Sequence, residues 1–234
     1  MNAPITKRVW VTGASNGLGL ALAERLLEQG AQVTASGRPS EQLQALADQH
    51  GPYLLVQDYD LSDPAQAAAA ARQIKDHWGA IDCLIINAGT CDYLASDTPA
   101  PALFEGIVSS NINASANCLA SAQPLLKQGS SPQVLAVLSR YSALQIHEPS
   151  QPARPDNSLT ALFASQRAAL GAHAIDLTVV APQSLKVPVV PVQVIPEQWT
   201  AQSAAEVILK HLPDRAPDLV LEALGVNSLW PLPK

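Results

Sequence analysis

Aromatic residues make up only 4% of this 234-residue chain and charged residues only 15%, with one methionine and three cysteines. Cys83, Cys91 and Cys118 are too few and too widely spaced for a zinc site or a disulfide framework, so reduced thiols and no metal are expected. The sequence has no basic cluster, and its net charge is −6, which argues against nucleic acid and anionic membranes as partners. No apolar stretch reaches the length of a membrane span, and Met1-Asn2-Ala3-Pro4 lacks the hydrophobic core of a signal peptide. A cytoplasmic protein is expected. Internal repeats are absent too, and the alanine run at 67–71 reads as helix former rather than low complexity.

What the chain does have is apolar substance, 47% of its residues, in a length ordinary for one doubly wound α/β domain spanning 1–234. Short β-branched runs alternate with helical periodicity. Strands are expected at Lys7–Thr12, Val33–Ser36, Tyr53–Gln57, Ile81–Ile86, Gln133–Leu138, Asp176–Ala181 and Asp218–Ala223. Helices are expected at Leu18–Gly30, near Ser40–Gln49, and at Pro64–Trp78, Leu103–Lys127, Asn157–His173 and Ala201–Leu212. Such alternation implies a mostly parallel sheet flanked by helices, a Rossmann-type domain.

Between the first strand and the first helix lies Thr12-Gly13-Ala14-Ser15-Asn16-Gly17-Leu18-Gly19. Glycines at this spacing let the backbone approach a pyrophosphate, and the following helix N-terminus offers unpaired N–H groups and a favourable dipole to the anion. The strand–turn–helix context turns an otherwise weak motif into a phosphate-site prediction.

Two further segments accompany the turn in order: Asp60-Leu61-Ser62-Asp63 after the third strand and Asn87-Ala88-Gly89 after the fourth. With these three motifs the chain resembles the short-chain dehydrogenase/reductase family over about Lys7 to Val187. The resemblance implies a nicotinamide dinucleotide held by Gly13, Ser15, Asn16, Gly17, Leu18, Gly19, Asp60, Leu61, Asn87, Ala88 and Gly89. It also implies that Asn111, thirteen residues before Pro124, and Ser139, at the end of the fifth strand, occupy the asparagine and serine positions of the family's catalytic set.

The family's Tyr-x-x-x-Lys is missing. Ungapped counting from Ser139 places Pro152 and Asp156 at the tyrosine and lysine positions, while a rival register places Phe163 and Arg167 there. In the family the tyrosine passes a proton to the carbonyl oxygen as hydride arrives, and the lysine fixes the nicotinamide ribose. Proline has no proton to give, and an ionised aspartate cannot donate to ribose hydroxyls. Positioned acid–base catalysis is worth about 10²–10⁴-fold in rate, so ordinary carbonyl reduction is expected to be lost or severely impaired.

Asp156 has two readings: a cap, with Asn157 as its rival, for a helix entered at Pro155, or an acid or base in a reshaped pocket. Tyr141, Arg140, His147 and Glu148 on the strand-end loop, and Cys91 and Tyr93 after Asn-Ala-Gly, are candidates for the same crevice. After Pro182, Gln183 and Val187 stand where the family carries a glycine and a phosphate-contacting threonine.

Gly37-Arg38 follows the second strand, where an NAD-selective protein carries an acidic residue. No carboxylate repels a 2′-phosphate there, and the Arg38 fork suits one, so NADP(H) is favoured over NAD(H). Asn16 stands where many NADP users have a basic residue. The leading expectation is a cofactor-binding or sensing module, with two alternatives: an oxidoreductase or redox-neutral enzyme acting on a small molecule through a non-standard proton donor, and a scaffold with a vestigial site. A homodimer or homotetramer through the fourth and fifth helices is also expected.

Overall fold

The computed structural model describes residues 7–88, 100–138, 150–152, 154–182 and 200–221. Seven strands form one sheet in the order β3-β2-β1-β4-β5-β6-β7, every neighbouring pair parallel. They are β1 Arg8–Thr12, β2 Gln32–Ser36, β3 Leu54–Gln57, β4 Cys83–Ala88, β5 Gln133–Leu138, β6 Asp176–Pro182 and β7 Asp218–Leu221. The helices are α1 Gly17–Glu28, α2 Glu41–His50, α3 Pro64–Trp78, α4 Ala100–Leu126, α5 Leu159–Gly171 and α6 Ala201–His211.

Alternation along each strand sends neighbouring side chains to opposite faces, and both faces are covered. Val9 and Val11 of β1 enter a core with Leu22 and Leu26 of α1 and Ile208 of α6. Trp10, between them in sequence, enters the other core with Ile74 of α3, Leu126 of α4 and Phe163 of α5. Two apolar layers thus clamp one sheet. No helix among the described residues is long and apolar enough to cross a membrane.

Several boundaries differ from expectation for local reasons. Tyr53 belongs to a 3-10 turn at Gly51–Tyr53 rather than to β3, because Pro52 enters that turn at its start. Strand β4 begins at Cys83 and not Ile81, since Asp82 turns its carboxylate onto the Arg8 side chain and the Ser130 amide. The helix expected to start at Asn157 starts at Leu159 and is capped by neither Asp156 nor Asn157. Ser158 Oγ accepts from the Ala161 amide at 3.2 Å, while Asn157 is buried and donates through Nδ2 to the Pro152 carbonyl at 3.1 Å. A serine capping the third helical N–H is the stronger terminus here.

The lower end of the sheet is tied by charge. Arg8 and Asp82 pair at 3.0 Å, and Asp82 also accepts from the Arg8 and Ser130 amides at 2.9 and 2.6 Å. Burial pushes the Asp82 carboxyl upward, but the bonds from Arg8 and Ser130 outweigh it and hold the group below its ordinary value.

Candidate functional site

The strand order reverses between β2 and β4 around β1, so the connections leaving β1 and β4 diverge to opposite faces and open a crevice at the carboxyl ends. A cleft of about 740 Å³, its solvent-open mouth included, lies there. The glycine turn after β1 forms one wall, Gly37 and Arg38 after β2 a second, Asp60 and Leu61 after β3 a third, and α4 faces them with Asn111 and Ser115.

Each feature of the turn has a physical cause. Gly17 has φ +54°, and a Cβ built on it meets nothing within 4 Å, so the turn needs glycine for its backbone angle while leaving open space. Gly19 is required by proximity, because a Cβ there would lie 2.0 Å from the Gly13 carbonyl oxygen. The α1 N-terminus begins at Asn16, whose side chain makes no cap hydrogen bond, and the first turn carries no acidic residue. Its leading N–H groups therefore lack a side-chain partner and suit an anion. Leu18 packs against the core instead of lining the cleft.

Ser15 and Asn87 brace this turn. Ser15 Oγ donates to the Arg38 carbonyl at 2.9 Å, and its own carbonyl accepts from Ser40 Oγ at 2.7 Å, tying the turn to the β2–α2 loop. Asn87 donates through its amide to Thr12 Oγ1 at 3.2 Å and through Nδ2 to the Gly13 carbonyl at 3.3 Å. Asp60 lines the cleft while its Oδ1 accepts from the Ser62 amide and hydroxyl at 2.9 and 2.6 Å. Ala88 closes β4, and Gly89 lies outside the described residues.

Asn111 lines the cleft from α4, is 6% exposed, and its Nδ2 is buried without a hydrogen-bond partner. A buried amide left unpaired costs about 1–3 kcal/mol. That cost, an open glycine turn and an uncapped helix end together fit a polar ligand with an anionic centre, as a nicotinamide dinucleotide is.

The structure does not bring Pro152 or Asp156 into this lining. Both are exposed, in the segment preceding α5. In the rival register, Phe163 is fully buried in the α5-side core. Arg167 donates to the Leu177 and Pro217 carbonyls, both at 3.0 Å, at the amino ends of β6 and β7 and so away from the cleft. Ser139, Arg140, Tyr141, His147, Glu148, Cys91, Tyr93, Gln183 and Val187 lie outside the described residues.

Sequence reasoning missed Ser36, Tyr59 and Ser115 in the lining. Ser115 was detectable, since it stands one helical turn after Asn111 and shares its face. Also missed was Asn117, whose Nδ2 donates to the Ser62 carbonyl at 2.9 Å and so holds the loop carrying Asp60. The thiols of Cys83 and Cys118 are buried in the two cores; burial pushes the first up to about 12 and raises the second as well. Neither is a nucleophile at neutral pH. Among the described residues, no group of three or more His, Cys, Asp or Glu is placed to hold a metal ion.

Comparison with known proteins places this geometry. A 3-phenylpropionate-dihydrodiol/cinnamic acid-dihydrodiol dehydrogenase of Escherichia coli is 37% identical over 100 residues, covering 42% of this chain and 37% of that protein. The match thus spans little more than a third of the length of the curated relatives. A metagenomic short-chain oxidoreductase crystallised with NADP superposes with a TM-score of 0.68 at 23% identity, covering 92% of this chain and 96% of the other. A short-chain dehydrogenase from Streptomyces avermitilis gives 0.70 at 21% identity, with 95% and 90% covered. These two establish the fold. The family model described as short chain dehydrogenase matches residues 7–193, which is most of the chain, and the protein belongs to that family.

Proposed function

We propose that this protein binds NADP(H) in preference to NAD(H), as one domain over 1–234, and serves as a cofactor-binding or sensing module without the ordinary carbonyl or alcohol oxidoreductase activity of its family. The observation that carries this reading is a split between the two halves of the site. Gly13, Ser15 and Asn16 of the turn, Asp60, Leu61 and Asn87 line the cleft. Pro152 and Asp156 instead are both exposed, in the segment before α5.

The residues that would hold the pyrophosphate are the first-turn amides of α1, with Asp60 and Leu61 at the adenosine end and Arg38 beside a 2′-phosphate. The NADP complex of the metagenomic relative supports the same cofactor. A bound nicotinamide would supply or accept a hydride. At the two rival-register positions on α5, Phe163 is apolar and Arg167 is engaged at the opposite end of the sheet, so neither supplies a proton to accompany that transfer.

A second reading, an enzyme of the same ancestry using Tyr141, His147, Asp156 or water as the proton source, draws support from Asn111. Its unpartnered buried amide keeps a polar group at the catalytic-asparagine position.

Calorimetric titration with NADPH and NADH, together with turnover assays on aldehydes, ketones and alcohols, separates these readings. NADPH binding with no turnover is expected. Arg38→Ala should weaken NADPH by about 10–100-fold, as lost hydrogen bonds to a charged group do, and leave NADH unchanged. Turnover with an altered pH profile would favour the second reading, and binding of neither dinucleotide would make the turn a relic and favour the scaffold.

A further inference from the structure

Gly37 has no need of glycine on conformational grounds, because its φ lies outside the left-handed region. Space alone demands it. A Cβ on Gly37 would stand 2.4 Å from Ser15 Oγ, 2.9 Å from the Ser15 amide nitrogen and 3.2 Å from that of Ala14. The nearest of these is a side-chain oxygen that is itself held in place by its 2.9 Å bond to the Arg38 carbonyl. Ser15 cannot swing away without releasing that bond, and the turn around it is held by Ser40 Oγ on the Ser15 carbonyl at 2.7 Å.

We infer that Ser15 is a steric gate on cofactor choice: its hydroxyl fills the volume that an acidic side chain at position 37 would need, and its bond to the Arg38 carbonyl fixes the backbone that carries the guanidinium. This rests on the cofactor reading above and deepens it. Discrimination against NAD(H) then belongs to the pair Ser15 and Gly37 acting across two loops, rather than to Arg38 alone. Ser15 is a positioning residue in this sense. An acidic residue cannot enter at 37 by a single substitution, because it would displace the same turn that binds pyrophosphate. With the Ser15 hydroxyl removed, the tightest contact is gone; the 2.9 Å approach to the Ser15 amide nitrogen still requires a backbone shift, and the 3.2 Å approach to that of Ala14 requires a few tenths of an ångström.

The test uses Gly37→Asp, Ser15→Ala and the double variant, titrated with NADPH and with NADH. Gly37→Asp alone should weaken both dinucleotides by about 10–100-fold, the fold-change to which overpacking of the turn converts. Addition of Ser15→Ala should restore NADH binding by at least about tenfold and leave NADPH weak, reversing the preference of the parent. A structural role for Ser15 without selection would move both affinities together and would overturn the proposal. So would a Gly37→Asp single variant that binds NADH as well as the double variant does.

A second cycle is independent of any cofactor. Gly37→Ala should lower the melting temperature by about 3–10 °C when Ser15 is present, the scale of overpacking in a domain of this size, and by less when residue 15 is alanine. Equal losses in both backgrounds would show that the hydroxyl is no gate. If the parent binds neither dinucleotide, the cofactor reading fails and takes the selecting role with it, whereas failure of the melting cycle with NADPH binding intact removes only the gate.

Discussion

Trp10 Nε1 donates to Ser36 Oγ at 2.8 Å, and Ser36 Oγ donates onward to Gln57 Oε1 at 3.1 Å. Gln57 Nε2 continues the chain to the Ala70 carbonyl and to Gln73 Oε1, at 3.0 and 2.9 Å. Ser36 lines the cleft while Trp10 is fully buried, so the floor of the candidate site is wired through three strands to α3.

Trp10→Phe removes the first donor and leaves the rest of the chain short of one partner in a buried setting. An unsatisfied buried group costs about 1–3 kcal/mol, and in a domain of this length each 1 kcal/mol shifts the melting temperature by about 2–4 °C. A fall of about 3–8 °C is therefore expected in a thermal unfolding scan.

Acid should loosen the lower end of the sheet. The folded Asp82 carboxyl lies below its ordinary value, so its contribution is fully present above the unfolded carboxyl pKa, about 3.9. It is lost as pH falls below that value toward the folded one. Asp82→Asn should cost about 3 kcal/mol at pH 7, the penalty for breaking a buried pair. The gap from the parent should narrow between about pH 4 and pH 2. Urea unfolding across that range reads it.

Cys83 and Cys118 should resist alkylation. Both are buried, and burial raises both thiols, the first to about 12. In a Cys91→Ser variant at pH 8, no thiol should react with a maleimide in the native protein, and two should react in denaturant. Mass spectrometry counts them.

Association through α4 and α5 is expected, and α5 offers the test. The outward face of α5 presents Thr160, Ala164 and Ala168 at helical spacing, all exposed and small enough for a second helix to approach closely. Light scattering should report a dimer or tetramer for the parent, and Ala168→Arg should shift it toward monomer. A monomeric parent would remove the idea.

The legible parts were those whose cause is local. Helix α3 runs from Pro64 to Trp78 as expected, because Asp63 caps the Ala65 amide at 2.7 Å and Gly79 leaves the helix at φ +78°. The start of α5 was misread for the opposite reason. Asp156, Asn157 and Ser158 are all competent caps, and the choice fell to Ser158 once Asn157 was buried against the Pro152 carbonyl. The Arg167 bonds to residues of β6 and the β7 entry were likewise invisible, because that helix face acquires its meaning only from strands that follow it.

By itself the sequence determined the alternation of strands and helices, the glycine turn and the absence of Tyr-x-x-x-Lys, since each depends on residues within a few positions of one another. Tertiary structure alone decided that the sheet reverses around β1, that Asn111 brings an unpaired amide to the resulting cleft, and that Ser15 closes off position 37. Those outcomes depend on parallel strands bringing distant loops to one edge, where a Cβ built on Gly37 would stand 2.4 Å from Ser15 Oγ, although the separation of the two residues in the chain carries no periodic signal.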